Sequence, residues 1–129
     1  ANKLAGQEFL VKNAKKPGVV SLPNGIQYEI LIAGKDTTKP TINDKVRCHY
    51  HGTLIDGSIF DSSVQRGEPI TFPLNGVIKG WQESLPLMSI GSKWRLYIPA
   101  ELGYGDRQAG PMIGPGSTLI FEVELLGIE

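Results

Sequence analysis

The chain has 129 residues, of which 40% are hydrophobic and 20% charged, a composition that is ordinary for one globular domain with a short appendage. Thirteen basic residues balance thirteen acidic ones, and no basic run is interleaved with aromatic residues, which argues against nucleic-acid binding. The single cysteine, Cys48, excludes an intrachain disulfide and a cysteine cluster for zinc, and no apolar run is long enough for a membrane span.

The first sixteen residues place apolar side chains near helical spacing, at Leu4, Ala5, Phe9, Leu10 and Ala14. Pro17 and Gly18 then end the pattern, since proline cannot continue a helix. We expect residues 1–18 to form a helix that either packs on the following domain, residues 19–129, or is the end of an inter-domain linker helix. The second reading is favoured because the apolar stripe is already under way where the chain starts. A first residue other than Met also predicts a processed or truncated product.

From Val19 onward the hydrophobic period changes to two, which is typical of half-buried strands. A hairpin signal, Asn24-Gly25, separates strand candidates at 19–23 and 26–34, and further strands are predicted at 45–54, 70–74, 92–99 and 117–126. A short helix is expected over 81–88. The pattern predicts an α+β fold, a twisted antiparallel sheet of five to six strands wrapped around one short helix, with an N-terminal helix.

The strand candidate at 45–54 has two distinct faces. Alternation places Cys48 and Tyr50 on its inner face, so Cys48 is interpreted as a small buried hydrophobic residue. His49 and His51 share the outer face, at a spacing that suits two metal ligands. No third ligand is evident, and zinc needs three or four. A pair of solvated histidines is therefore favoured, with no metal site.

Several segments each contribute aromatic or aliphatic residues to a candidate pocket. Trp81 is either an ordinary core residue or the platform of a ligand site, and Asp61 is either a turn residue that caps its own backbone or a carboxylate beside an apolar cavity. The glycine-rich loop at 101–116 is long enough to favour a functional role. Motifs for covalent catalysis are missing, and apolar walls with a few polar groups are typical of a ligand pocket.

Five ordered blocks make the pattern specific: HYHGTLIDGSIFDSS, RGEPITF, VIKGW, LGYG and STLIFEVELL. Together they resemble the signature of the FKBP-type peptidyl-prolyl cis-trans isomerases, the macrolide-binding immunophilins, over about residues 40–127. The preceding segment, GQEFLVKNAKKPGVVSLPNGIQYEIL, resembles the inter-domain helix and first strands of the bacterial macrophage infectivity potentiator group. Proteins of that group are dimers joined through an N-terminal helical domain.

The resemblance implies an isomerase that acts on proline-containing peptides and unfolded proteins, binds macrolides such as tacrolimus and rapamycin, and uses no cofactor. It implies a catalytic set of Asp61, Tyr104, Phe60 and Phe121. It implies a substrate-binding set of Tyr50, Arg66, Ile70, Val77, Ile78, Trp81, Met112 and Ile113. Arg66 is expected to pair with Asp61, and the Tyr104 hydroxyl is expected to point at the ligand.

Two positions depart from the family pattern. Ile70 stands where many relatives have phenylalanine, which makes the pocket less aromatic, and Ala109 replaces a histidine often found in the long loop, which affects the expected substrate preference. The alternative function is a peptide-binding chaperone or scaffold that uses the same pocket without turnover. By resemblance the protein is expected in the bacterial periplasm or at the outer membrane, with the cytoplasm as the alternative, and as a homodimer through a further N-terminal domain.

Overall fold

The computed structural model describes residues 2–23, 25–34, 36, 38–103 and 116–128, with side chains from residue 4 onward. These ranges contain seven strands, β1 (Val19–Ser21), β2 (Gln27–Ile32), β3 (Lys45–Leu54), β4 (Ile59–Ser62), β5 (Ile70–Pro73), β6 (Lys93–Ile98) and β7 (Leu119–Ile128). They also contain three α-helices, α1 (Asn2–Asn13), α2 (Ser63–Arg66) and α3 (Lys79–Ser84), and 3-10 turns at Leu74–Gly76, Leu85–Leu87 and Ala100–Leu102.

All seven strands belong to one antiparallel sheet in the order β1-β2-β6-β7-β3-β4, with β5 also paired to β3. The predicted α+β class is therefore confirmed, although the sheet has more strands than the five to six expected. The long strand β3 pairs with β7 along one edge. Along its other edge two strands pair with it, β5 with its first half and β4 with its second half. Among the described strands, none pairs with β3 between these two pairings on that side.

One face of the sheet packs against α3 and the turns beside it. Buried side chains of β6 and β7, including Leu96 and Val123, form one cluster with Trp81, Leu85 and Met88. The helix comes close to the sheet at Gly80, where a Cβ atom would lie 2.6 Å from Cγ2 of Ile98. This close approach places the following residue, Trp81, deep against the sheet.

Among the described helices, none combines the length and apolar character that a bilayer crossing requires.

Helix α1 docks on the other face of the sheet. Gly6 is so close to Thr118 that a Cβ would lie 2.1 Å from its Oγ1. The Phe9 and Tyr97 ring centroids are 5.9 Å apart, and Asn13 Nδ2 donates to Gln27 Oε1 at 2.8 Å. Tyr97, which the alternation assigns to the outer face of β6, is only 4% exposed because this helix covers it.

The predicted apolar stripe of α1 is partly wrong. The helix ends at Asn13 and does not extend to residue 18, and Leu4, Ala5 and Ala14 are exposed. Phe9 and Leu10 of the stripe do face the sheet, and further contacts come from Gly6, a glycine that permits close approach, and from Asn13. Packing of α1 on the domain is thus present, and its role as the end of an inter-domain linker stays a prediction.

Candidate functional site

An aromatic cluster surrounds Trp81, which is 5% exposed. The Tyr50 and Phe121 rings meet the indole edge to face, with centroids 5.5 and 5.1 Å away at interplanar angles of 76° and 83°. Phe72 lies 5.2 Å away at 47°. Phe60 extends the cluster by meeting Phe121 edge to face at 5.4 Å. Rings on β3, β5 and β7 therefore converge on one indole from α3, and a β4 ring packs behind one of them, as expected for the floor and walls of an apolar pocket.

Gly52 of β3 makes room for two of these rings. Its Cα pairs with Phe121 on one side and with Asp61 on the other. A Cβ at this position would lie 2.6 Å from Phe60 Cζ and 3.0 Å from Phe121 Cε1. The missing side chain therefore lets Phe60 and Phe121 close over the strand.

Three polar groups adjoin the aromatic cluster. The Tyr50 hydroxyl donates to Asp61 Oδ2 at 2.5 Å, and Arg66 Nη1 donates to Asp61 Oδ1 in an ion pair. Arg66 Nη2 donates to the Tyr50 hydroxyl oxygen at 3.1 Å, and the Arg66 guanidinium carbon is 5.8 Å from the Tyr50 ring centroid. The expected pairing of Arg66 with Asp61 is present, and Tyr50 closes the arrangement into a ring of hydrogen bonds, called the triad below.

These contacts perturb the acidity of all three groups. Partial burial alone would raise the pKa of Asp61, but the hydrogen bonds from Tyr50 and Arg66 and the Arg66 charge outweigh it and hold the pKa below its usual range. Burial, followed by the bond to Asp61, raises the pKa of Tyr50. The hydrogen bonds to Tyr50 and Asp61 raise the pKa of Arg66. At neutral pH the triad therefore holds a carboxylate, a neutral phenol and a guanidinium.

The remaining predicted site residues divide into two groups. Val77 and Ile78 are partly buried and pack against the core cluster at the start of α3, and Ile70 is partly buried where β5 pairs with Cys48. Tyr104, Met112 and Ile113, together with Ala109, lie outside the described residues. Phe72 was not among the predicted binding residues although it contacts Trp81. Its inward alternation in β5 was the available signal.

The two outer-face histidines are half-buried rather than fully solvated. His49 Nδ1 lies 3.0 Å from Ser63 Oγ, and His51 Nδ1 lies 2.9 Å from Ser62 Oγ. Both rings are partly buried because β4 and α2 lie beside them. Within the described part of the chain, no group of three His, Cys, Asp or Glu side chains is arranged to hold a metal ion.

Comparison with known proteins identifies the family. Residues 36–126 match the description "FKBP-type peptidyl-prolyl cis-trans isomerase". The chain belongs to this FKBP family. Residues 1–30 match a second description, "Domain amino terminal to FKBP-type peptidyl-prolyl isomerase", and this range contains α1, β1 and most of β2.

Comparisons with individual proteins agree with this family assignment. The chain is 57% identical over 123 residues to the FKBP-type 22 kDa peptidyl-prolyl cis-trans isomerase of Escherichia coli K12, covering 95% of this chain and 59% of that protein. It is 48% identical over 128 residues to the peptidyl-prolyl cis-trans isomerase Mip of Coxiella burnetii, covering 99% and 55%. The predicted likeness to the Mip group is confirmed. The chain thus spans a little over half the length of these two relatives.

Solved structures show the same fold. The crystal structure of FkpA from Escherichia coli superposes with a TM-score of 0.93 at 46% identity, covering 99% of this chain and 59% of that chain. A peptidyl-prolyl cis-trans isomerase from Pseudomonas syringae pv. tomato gives a TM-score of 0.91 at 40% identity, covering 99% and 93%. The second structure is matched over nearly its whole length.

Proposed function

We propose that this FKBP domain accelerates rotation about X-Pro amide bonds in peptides and unfolded proteins. The observation that carries the proposal is the aromatic cluster on Trp81, with the Tyr50–Asp61–Arg66 triad beside it. Such a site offers an apolar surface for a proline ring and a fixed set of polar groups at one side. Both features are typical of pockets that orient a small apolar ligand.

The chemistry requires an environment rather than a reactive group. Amide resonance imposes a barrier of about 18 to 20 kcal/mol on rotation, and the planar form is the more polar one. Water stabilises that planar form by hydrogen bonding. An apolar pocket removes this stabilisation, whereas the twisted transition state loses less, so the barrier falls. No bond is broken, and neither a general acid, a base nor a cofactor is needed.

Each residue has a proposed role. Trp81 supports the proline ring, Phe60 and Phe121 exclude water, and the Asp61 carboxylate faces the rotating amide. The Ile78 backbone N–H and the Tyr104 hydroxyl each hold a substrate carbonyl. Further apolar contacts are proposed for Ile70, Val77, Met112 and Ile113, of which the last two, like Tyr104, are assigned from the sequence alone.

Three further assignments accompany the activity. The same pocket is proposed to bind the macrolides tacrolimus and rapamycin, which compete with proline peptides. A homodimer is proposed through a segment preceding this chain, supported by the match of residues 1–30 to the amino-terminal domain. A periplasmic or outer-membrane location is proposed, supported by a 48% identical relative from Legionella longbeachae that is named "Outer membrane protein MIP".

The decisive experiment is the cis-to-trans relaxation rate of a Leu-Pro or Phe-Pro reporter peptide, with and without rapamycin. Acceleration that rapamycin abolishes supports both the activity and its site. Rapamycin binding without acceleration contradicts catalysis and favours the chaperone or scaffold alternative. If the chain neither accelerates the reaction nor binds rapamycin, the assignment of the pocket itself is wrong.

A further inference from the structure

The backbone of Tyr50 lies in a gap between two strand pairings. On the edge of β3 that is shared by two strands, the β5 register ends at Cys48 paired with Ile70, and the β4 register begins at His51 paired with Ser62. Tyr50 therefore has no backbone partner in either strand. The chain has already turned from β4 into α2 at this level, and the first residue of α2, Ser63, occupies the gap.

The Ser63 hydroxyl takes the place of the missing strand. Its Oγ accepts the Tyr50 N–H at 2.8 Å and donates to the Tyr50 carbonyl oxygen at 3.3 Å. One side chain thus satisfies both backbone polar groups that a paired strand would otherwise satisfy. The residue is fully buried, so water does not compete for these bonds.

His49 completes the bonding of this hydroxyl. A serine oxygen has one hydrogen to donate and two lone pairs that accept. With the hydrogen directed at the Tyr50 carbonyl and one lone pair used by the Tyr50 N–H, His49 Nδ1 at 3.0 Å must be the donor to the second lone pair. The imidazole tautomer protonated at Nδ1 satisfies all three contacts.

The same serine anchors the turn that carries Arg66. Helix α2 is a single turn from Ser63 to Arg66, capped at its start by the Ser62 hydroxyl, which accepts the Gln65 N–H at 3.2 Å. Gly67, at φ 80°, closes its end with an N–H bond to the Ser63 carbonyl at 3.0 Å. A turn this short has little rigidity of its own. Its attachment to β3 through the Ser63 side chain therefore sets where the guanidinium of Arg66 lies.

We propose that Ser63 is a positioning residue for the isomerase site: by holding the Tyr50 backbone and the start of α2 together, its hydroxyl keeps the phenol, carboxylate and guanidinium of the triad in contact. The catalytic part of this inference rests on the proposed function. The hydroxyl itself touches no substrate, since it is buried behind Tyr50.

The test compares Ser63→Ala with a matched control, Ser92→Ala. Ser92 is also buried, and its Oγ also accepts a backbone N–H from a distant segment, that of Gly34 at 2.9 Å, but it bonds to no triad residue. Reporter-peptide kcat/KM, amide hydrogen exchange at Tyr50 and the NMR titration of the Asp61 carboxyl are measured in both. Folding is checked by circular dichroism.

For Ser63→Ala we expect kcat/KM to fall about tenfold, Tyr50 amide exchange to accelerate about tenfold or more, and the Asp61 pKa to rise toward its ordinary value. Ser92→Ala should leave all three at wild-type values while accelerating exchange at Gly34. In an Arg66→Ala background, Ser63→Ala should lower kcat/KM much less, because the contact that it supports is already lost.

Unchanged Tyr50 exchange and Asp61 titration in folded Ser63→Ala would overturn the positioning role, whatever happens to turnover. An inactive wild-type chain would instead refute the proposed function, and the exchange and titration measurements would still decide whether Ser63 positions the triad. If the alanine variant does not fold, Ser63→Cys fills similar space with a weaker hydrogen-bonding group and must move both NMR measurements in the same direction.

Discussion

Tyr50 and Asp61 lie on adjacent strands, and the phenol hydroxyl donates to one carboxylate oxygen at 2.5 Å while Arg66 binds the other. This arrangement fixes the ionisation of both partners. The carboxylate is stabilised as the anion by two donors, and the phenol is kept neutral by burial and by the acceptor it faces. The triad therefore presents an oriented anion rather than a group that exchanges protons, in keeping with the proposed reaction, which needs no acid or base.

The lowered pKa of Asp61 predicts how stability depends on pH. Because the folded-state pKa is depressed, the stabilising contribution is present above the ordinary aspartate pKa of about 3.9 and is lost as pH falls through the folded value. With 42% of the side chain exposed, solvent screens the pair, so the contribution is at most about 1 kcal/mol. The unfolding free energy of Asp61→Asn should lie below that of wild type by this amount at pH 7.

Urea denaturation of both proteins from pH 2.5 to 7 measures the difference, which should be constant above about pH 5 and should shrink below it. Asp56→Asn is the control, because the Asp56 pKa is also lowered, by hydrogen bonds with Ser58, but Asp56 does not contact the triad. The stability difference should shrink below about pH 5 for both variants, whereas only Asp61→Asn should lower reporter-peptide kcat/KM. A stability difference that persists unchanged to pH 2.5 would contradict the assigned ionisation.

Replacing the indole of Trp81 is predicted to lower turnover, whereas replacing the second buried indole, that of Trp94, is not. Trp94 is 7% exposed and stacks on Tyr28 with centroids 4.3 Å apart, away from the triad. Trp81→Leu and Trp94→Leu should each lower the unfolding free energy by about 3 kcal/mol because both leave a cavity. Only Trp81→Leu should lower reporter-peptide kcat/KM, by about tenfold or more. Equal losses of turnover at equal stability would refute the role of Trp81 as pocket floor.

Gly52→Ala tests whether the close approach of two phenylalanine rings shapes the pocket. The added methyl would collide with Phe60 and Phe121, so the rings must move, at a cost of about 1 to 3 kcal/mol. Gly127→Ala is the matched control, since Gly127 also lies in a paired strand but a Cβ there would have no atom of the described residues within 4 Å. The midpoint temperature of thermal unfolding and kcat/KM should both fall for Gly52→Ala and change little for Gly127→Ala. A fully active Gly52→Ala protein would show that these rings do not define the site.

Several features of this site follow from the sequence by alternation alone. Period-two patterns in β6 and β7 correctly predicted the buried faces that include Leu96 and Val123. Strand β4 was missed because its four residues, IFDS, are too few and too polar to show a period. Tyr97 was assigned to an outer face, and only the docking of α1 buries it.

Apolar periodicity does not predict contacts made by small or polar residues. Gly6 and Asn13 hold α1 on the sheet, yet apolar periodicity favours Leu4, which is 61% exposed. Gly52 and Ser63 shape the site by a missing side chain and by a backbone bridge, neither of which has a hydrophobic signature. Motif and period therefore lead to the residues that are proposed to line the pocket, whereas neither signal leads to Gly52 or Ser63.

Cys48 is predicted to be inert toward thiol reagents in the folded protein. Burial in the core raises the pKa of its thiol to about 12, so almost no thiolate is present at pH 8. Iodoacetamide should modify native protein at least about 100-fold more slowly than urea-unfolded protein. Because the folded pKa is raised, stability should also decline as pH rises from the unfolded value of about 8.5. Rapid alkylation without loss of fold would contradict the burial of this side chain.

The docking of α1 on the sheet includes a buried amide pair beside the contact of Phe9 with Tyr97. Asn13 Nδ2 donates to Gln27 Oε1 at 2.8 Å, and Gln27 Nε2 donates to the Leu10 carbonyl at 2.8 Å, so the last turn of the helix is bonded to β2. Asn13→Ala removes the donor to a buried oxygen, which costs about 1 to 3 kcal/mol. It also removes Asn13 Oδ1, which is buried without a partner among the described residues, so the net loss should be near 1 kcal/mol.

The exposed Asn43→Ala is the control, and its effect should stay within about 0.5 kcal/mol. Limited proteolysis should cleave near residues 14–18 faster in Asn13→Ala, because α1 is released more often, while reporter-peptide turnover stays at the wild-type value. The rings of the aromatic cluster belong to β3, β4, β5, β7 and α3, and among the described residues none of these elements bonds to Asn13. Protease resistance equal to that of wild type would show that the docking of α1 does not depend on this pair. Loss of turnover in Asn13→Ala would show that the docking of α1 and the site are coupled.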